Sequence, residues 1–215
     1  MGTTAIEERP YTDIESFDTL ATATSILEEN LTKDSIFQID DNSFQDLELV
    51  LNEINMEQFD IYVSSYIKNY VKGCGFNKLN LKEKSDCDEI CVTYLTENKS
   101  NAIYYLPCNY DAGIIGASFS PNCNSLIVCS SYDGSDFDDY YENRAEFYLF
   151  NIEGTDGLNS INPLYMYETK EWSISDYVWI NNNKIGLKMY SENRWGDGSQ
   201  VDYKYFEALI PDETK

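Results

Sequence analysis

The chain has 215 residues with 42% hydrophobic content, which predicts one domain of ordinary core size rather than a disordered chain. Its 38 acids against 15 bases leave a net charge of −23, which excludes nucleic-acid phosphates and anionic membranes as default partners. No histidine occurs, so His-dependent nucleophile systems and His-ligated metal centres are excluded.

Residues 1–11 are polar, include Pro10 and read as a flexible N-terminal segment. They hold no signal peptide, so export implies that the signal has already been removed. No apolar run approaches the roughly 18 residues a membrane span needs, so no membrane insertion is expected. Thr12-Asp-Ile-Glu15 matches a capping box, and Ile14, Phe17, Leu20 and Leu27 fit one helical face. Ser43-x-x-Asp46 opens a second expected helix, FQDLELVLNEI, with Phe44, Leu47, Val50, Leu51 and Ile54 at helical spacing. Asn55 reads as the N-cap of a third, over 56–72, where Tyr62/Val63, Tyr66/Ile67 and Tyr70/Val71 recur every four residues. Gly73 supplies its stop.

Charge is uneven along this part. Residues 1–60 hold fifteen acids with only Arg9 and Lys33, whereas Lys68, Lys72, Lys78, Lys82 and Lys84 follow in close succession. Within the third helix, Ser65-x-x-Lys68 has the Ser-Lys spacing of penicillin-recognising enzymes, but no SDN or KTG accompanies it.

After Lys84 the pattern changes to short β-branched and aromatic runs. These are EICVTYL, NAIYYLPC, IIGASF, SLIVCSS, AEFYLFNI, PLYMYE, DYVWI, KIGLKMYS and DYKYFEALI. Turn-like clusters and no helical crossovers separate them, which predicts an antiparallel meander. The expected fold class is therefore α+β: a helical part over 12–84 and an antiparallel β-rich part over 85–215, packed as one unit.

ASFSPNCNSLIVCSSYD, AEFYLFNIEG and DYVWINNNKIGLKMYS set an F-S-P turn before an apolar strand, a strand ending near Gly, and an aromatic strand with another turn. Over residues 112–191 this resembles the blades of WD40-like or TolB-like β-propellers, and the resemblance implies antiparallel blades. A closed propeller of four or more blades needs about 160 residues of strand, so roughly two such units fit here.

Six cysteines, at 74, 87, 91, 108, 123 and 129, fall in the middle of the chain. An even number in one region points to disulfides and a periplasmic or extracellular location, with reduced cysteines in the cytoplasm as the alternative. Three local bridges are expected: Cys91–Cys108 across a hairpin at 98–100, Cys123–Cys129, and Cys74–Cys87.

Between the fourth and fifth of these runs lies YDGSDFDDYYE. Asp133, Asp136, Asp138, Asp139 and Glu142 are oxygen ligands suited to calcium, but the EF-hand spacing fails: Phe137 stands at the fifth position from Asp133. No metal or other cofactor is assigned. Tyr132, Phe137, Tyr140 and Tyr141 interleave with the acids, which favours recognition of a Lys/Arg-rich protein. Trp195, in NRWGDG, reads as an exposed member of the same partner-binding set, and Trp179 as core. A sugar platform of Trp172, Trp179 and Trp195 is the other reading of the tryptophans. Asn30-Leu-Thr32 and Asn98-Lys-Ser100 match glycosylation sequons.

The expected function is a non-enzymatic binding protein that captures a basic protein. In size, acidity and lack of catalytic motifs it is similar to bacterial toxin-immunity proteins, which implies an inhibitor covering a toxin or secreted enzyme. The alternative is a cell-surface module that binds calcium or carbohydrate.

Overall fold

The computed structural model describes residues 36–69, 73–87, 91–107, 114–132, 143–191 and 201–211. Residues 35–215 cluster as one unit, apart from 1–34. The described part is mostly β. A hairpin sheet has the order β3 (Leu81–Cys87), β4 (Cys91–Glu97), β5 (Ile103–Tyr105). A middle sheet runs β1 (Gln45–Asp46), β9 (Ile161–Thr169), β8 (Ala145–Ile152), β7 (Ser125–Ser131), β6 (Ile114–Phe119). An outer sheet runs β10 (Ser173–Asn181), β11 (Lys184–Tyr190), β12 (Lys204–Leu209), β2 (Leu51–Ile54). The one α-helix among the described residues, α1, is Met56–Asn69.

The middle sheet is buried on both faces at its centre because β7 and β8 carry unbroken apolar runs there, Leu126–Cys129 and Phe147–Phe150. Leu126, Val128, Tyr148, Phe150 and Ile152 point one way and join Leu81, Leu95, Tyr104 and Leu106 of the hairpin-sheet region. Ile127, Cys129, Phe147 and Leu149 point the other way and join Ile174, Trp179, Ile185, Leu187, Met189, Phe206 and Ala208 of the outer sheet. The period-2 geometry of a strand thus divides two adjacent apolar runs between two cores. Each large side chain so buried stabilises the fold by about 1.5–3 kcal/mol before its entropy cost.

One segment, 36–54, meets all three sheets in turn. Ile36 bridges Ile103 in parallel and the Phe37 amide donates to the Ile103 carbonyl at 2.7 Å. Gln45 and Asp46 pair in parallel with Tyr165 and Met166. Leu51–Ile54 then pairs antiparallel with β12, Leu51 opposite Ala208 and Ile54 opposite Tyr205. Its side chains follow the same path: Phe37, Ile39 and Phe44 pack on the first core, and Leu47, Leu49 and Leu51 on the second.

This segment overturns the α+β expectation. FQDLELVLNEI is not a helix but two short edge strands and their link. Leu-Glu-Leu-Val-Leu at 47–51 alternates half-buried with exposed residues, and three unpaired sheet edges give that alternation its partners. The expected helix from Thr12 lies outside the described residues. The third expected helix forms: Asn55 caps it, its side-chain oxygen accepting from the Gln58 amide at 2.8 Å. Phe59 is buried beneath it against Tyr205, with ring centroids 5.5 Å apart. A side chain at Gly186 would crowd both Val178 and Phe59, so glycine lets α1 sit close on β11. Ile67, expected on the buried face, is instead exposed.

The nine expected strand runs all hold strands, and a tenth, LKEKSDC, forms β3 at the edge of the hairpin sheet. The boundary expected at 84/85 falls inside β3.

The cysteine expectation is corrected as well. Cys74 is bonded to Cys123, with Cα atoms 5.4 Å apart, which excludes the expected Cys74–Cys87 and Cys123–Cys129 pairs. Cys129 is buried and faces the second core. Cys87 and Cys91 stand opposite each other in the β3–β4 register, and Cys108 lies outside the described residues.

Candidate partner-binding surface

Of the residues expected to bind a partner, Tyr132 is described. Asp133, Asp136, Phe137, Asp138, Asp139, Tyr140, Tyr141, Glu142 and Trp195 lie outside the described residues. The strands that carry them place their points of departure together. The chain leaves β7 at Tyr132 and re-enters β8 through Asn143 and Arg144; it leaves β11 after Tyr190 and returns before β12. Ser173, at the start of β10, joins the two, being the register partner of Tyr190 while its hydroxyl donates to the Tyr132 carbonyl at 2.6 Å.

This root is a tight polar knot. The buried Arg144 guanidinium donates from Nη1 to the Ser173 hydroxyl at 2.8 Å. Its carbonyl accepts from the Tyr132 amide at 2.8 Å, and its own amide donates to the Thr169 carbonyl at 2.7 Å. The Ile174 amide donates to the Ser131 hydroxyl at 2.9 Å, drawing the outer sheet onto the end of β7. Glu146, also buried, accepts from the Tyr148 hydroxyl at 2.9 Å. Buried charges of this kind are tolerated only where fixed polar groups replace water. The root of the acidic segment is therefore rigid.

Aromatic and cationic groups surround the second departure. Trp172 stacks edge-on to Phe206 with Lys204 Nζ 5.7 Å from its ring centre. Lys188 Nζ lies 4.1 Å from the ring centre of Tyr203, which also meets Tyr190. Trp179 is core, as expected, and its indole donates to the Ser118 carbonyl at 3.2 Å.

That bond belongs to a set that closes the free edge of the middle sheet. Along β6, the carbonyls of Gly116, Ser118 and Phe119 accept from Tyr177, Trp179 and Tyr66, respectively. Burial drives the Tyr177 hydroxyl well above its ordinary range. On the other side of the outer sheet, the Tyr62 hydroxyl donates to the Glu207 carboxylate, which also pairs with Lys184 at 2.9 Å. Its hydrogen bond to Glu207, then burial, pushes Tyr62 up to about 12. The same bond, followed by Lys184, holds Glu207 below the usual carboxylate range.

A second surface lies on the exposed flank of α1, where Met56, Glu57, Asp60, Ile61, Ser64 and Ser65 line an open concavity of about 590 Å³. Met56 and Ile61 are 59% and 51% exposed, and Val50 on the approach to β2 is 65% exposed. Sequence reasoning missed this flank because it followed the pairs Tyr62/Val63, Tyr66/Ile67 and Tyr70/Val71 and did not place Met56 or Ile61. The available signal was angular: Ile61 falls on the opposite side of the helix from Phe59 and Tyr66 on a helical projection. Among the described residues no group of three or more His, Cys, Asp or Glu is placed to hold a metal ion.

Comparison with protein-family models, curated proteins and solved structures returns no match.

Proposed function

We propose that this chain is a non-enzymatic binding protein that captures a basic protein, most concretely as an immunity protein or inhibitor that covers the active site of a toxin or secreted enzyme. The observation that carries the reading is the bond from Ser173 to Tyr132, made by the residue whose register partner is Tyr190. Through it the segment with Asp133, Asp136, Asp138, Asp139 and Glu142 and the segment with Trp195 leave the fold at one end. A rigid root lowers the ordering cost that a recognition loop incurs on binding. Acids then steer a cationic partner, and Tyr140 and Tyr141 supply contact area. The Cys74–Cys123 disulfide supports an exported protein, and no helix among the described residues is long and apolar enough to cross a membrane.

The test uses the partner isolated from the native source. Replacing Asp136, Asp138 and Asp139 together by Asn should slow association roughly tenfold at low salt and leave folding unchanged. Tyr140→Ala or Tyr141→Ala should instead speed dissociation. Association that is indifferent both to salt and to the triple substitution would remove the acidic segment from the interface.

A further inference from the structure

We infer that Cys87 and Cys91 form a second disulfide, which closes the free end of the β3–β4 ribbon. The two are register partners, as are Ser85 with Thr93 and Leu81 with Glu97. Opposed residues of an antiparallel ladder alternate between hydrogen-bonded and non-hydrogen-bonded pairs. The Asn98 amide donates to the Asn80 carbonyl at 3.0 Å, so 80 and 98 are a hydrogen-bonded pair. Alternation from there makes 81/97, 83/95, 85/93 and 87/91 non-hydrogen-bonded. The far side of β4 agrees: the Thr93 carbonyl accepts from the Leu106 amide at 3.0 Å and so points away from β3. Cα atoms of a non-hydrogen-bonded pair lie about 4.5 Å apart, within the span of about 4.4–6.8 Å over which disulfides form. Ser85 and Thr93, the preceding pair of the same class and face, already touch, with their hydroxyls 3.0 Å apart.

The expected Cys91–Cys108 bond would use the other side of β4. There pairs of this parity are hydrogen-bonded and hold their side chains further apart, and β5 has ended at Tyr105. The ribbon also lacks other ties at its end. β5 flanks β4 no further than Thr93, so beyond it β3 and β4 have only each other. Lys82–Asp86 are exposed and polar, and none of them reaches a core. Two strands alone are marginally stable in water, and the outer edge of β3 is unpaired. A bond at the last register pair holds that end where packing does not. Its formation is an exchange with an acceptor disulfide, such as oxidised glutathione. The thiolate of one cysteine attacks the acceptor and releases one glutathione; the other then attacks the mixed disulfide and releases the second. One S–S bond breaks and one forms, the two cysteine protons end on the released thiols, and two electrons pass to the acceptor. Nothing in this uses residues 132–142 or Trp195, so it stands apart from the reading above.

The test takes the full chain folded in a buffer of reduced and oxidised glutathione. Thiols are blocked with iodoacetamide in denaturant, and the chain is digested with trypsin without reduction. Ser85–Lys99 is the tryptic peptide that holds Cys87 and Cys91 and no other cysteine. It should be lighter than its dithiol form by two hydrogens and carry no label. The same peptide with two labels, or joined to the peptide that holds Cys108 or to a second chain, would overturn the proposal. Hydrogen exchange then tests the closure. In Cys87→Ser with Cys91→Ser, the amides of the hydrogen-bonded pair Asp86 and Val92 should exchange about tenfold faster or more, with β8 unchanged. Unchanged exchange at Asp86 and Val92 would overturn the closing role assigned to the bond.

Discussion

Strands β7 and β8 and the segment 36–54 reach extended structure by opposite routes. In β7 and β8 nearly every residue is buried, and the two faces of each strand feed two cores. Such a run has no favourable conformation outside a sheet covered on both sides. Segment 36–54 is half-exposed, acidic and short in each of its pairings. What makes it extended is the set of edges it meets: β5, β9 and β12. The first region carries its conformation in its own composition; the second takes it from its neighbours.

Substitutions can break that contrast. The largest expected effect is in the middle sheet, where Phe150 is fully buried with the rings of Phe44 and Tyr104 against it. Phe150→Ala should cost about 3–5 kcal/mol in urea unfolding, whereas Val50→Ala should change stability by less than about 0.5 kcal/mol. Comparable losses at both sites would erase the difference between the regions.

The next effect is covalent. Cys74 follows α1 in the chain and Cys123 sits in the turn between β6 and β7, 49 residues apart. Cys74→Ser with Cys123→Ser should cost about 2–5 kcal/mol, on the view that the bond restricts the unfolded chain. Without reductant, the native chain should release a thiol at Cys129 only after unfolding. Hydrogen exchange sharpens the comparison: in the double variant, protection should fall more at Leu47 and Phe37 than in β8. A uniform fall would mean that the segment and the middle sheet open as one unit.

A third substitution tests one hydrogen bond of the segment. The Leu47 amide donates to the Met166 carbonyl at 2.7 Å, a bond that Leu47→Pro removes. The cost should be about 1–3 kcal/mol by urea unfolding, with the outer sheet's near-UV signature retained. A loss as large as that of Phe150→Ala would show that the segment nucleates the fold rather than sealing it.

What was legible in the sequence follows the same division. AEFYLFNI and SLIVCSS announce strands because alternating faces are both apolar, and Asn55 before MEQFDIYV announces a helix start. FQDLELVLNEI misleads because Phe44, Leu47, Val50, Leu51 and Ile54 satisfy a helical period, while Leu47, Leu49 and Leu51 satisfy a strand period just as well. Only the edges of distant strands decide between them. LKEKSDC was missed because a charged edge strand lacks apolar alternation, as edges that avoid self-association commonly do. The Cys74–Cys123 bond joins parts of the chain that meet only after folding, so cysteine spacing pointed to nearer partners. For the candidate site, the acidic segment stood out at once. The convergence of its root with that of the Trp195 segment depends on one hydroxyl, that of Ser173, which no sequence pattern marks.

The pairing of Leu51 with Ala208 has a temporal consequence. During synthesis β2 emerges early, but the strand it pairs with is the last of the described strands to leave the ribosome. Loop closure across so long an interval must precede any gain from the contact. Until then β2 has no ladder partner. Emergence of β12, rather than completion of any earlier sheet, is thus the moment at which the outer layer can close.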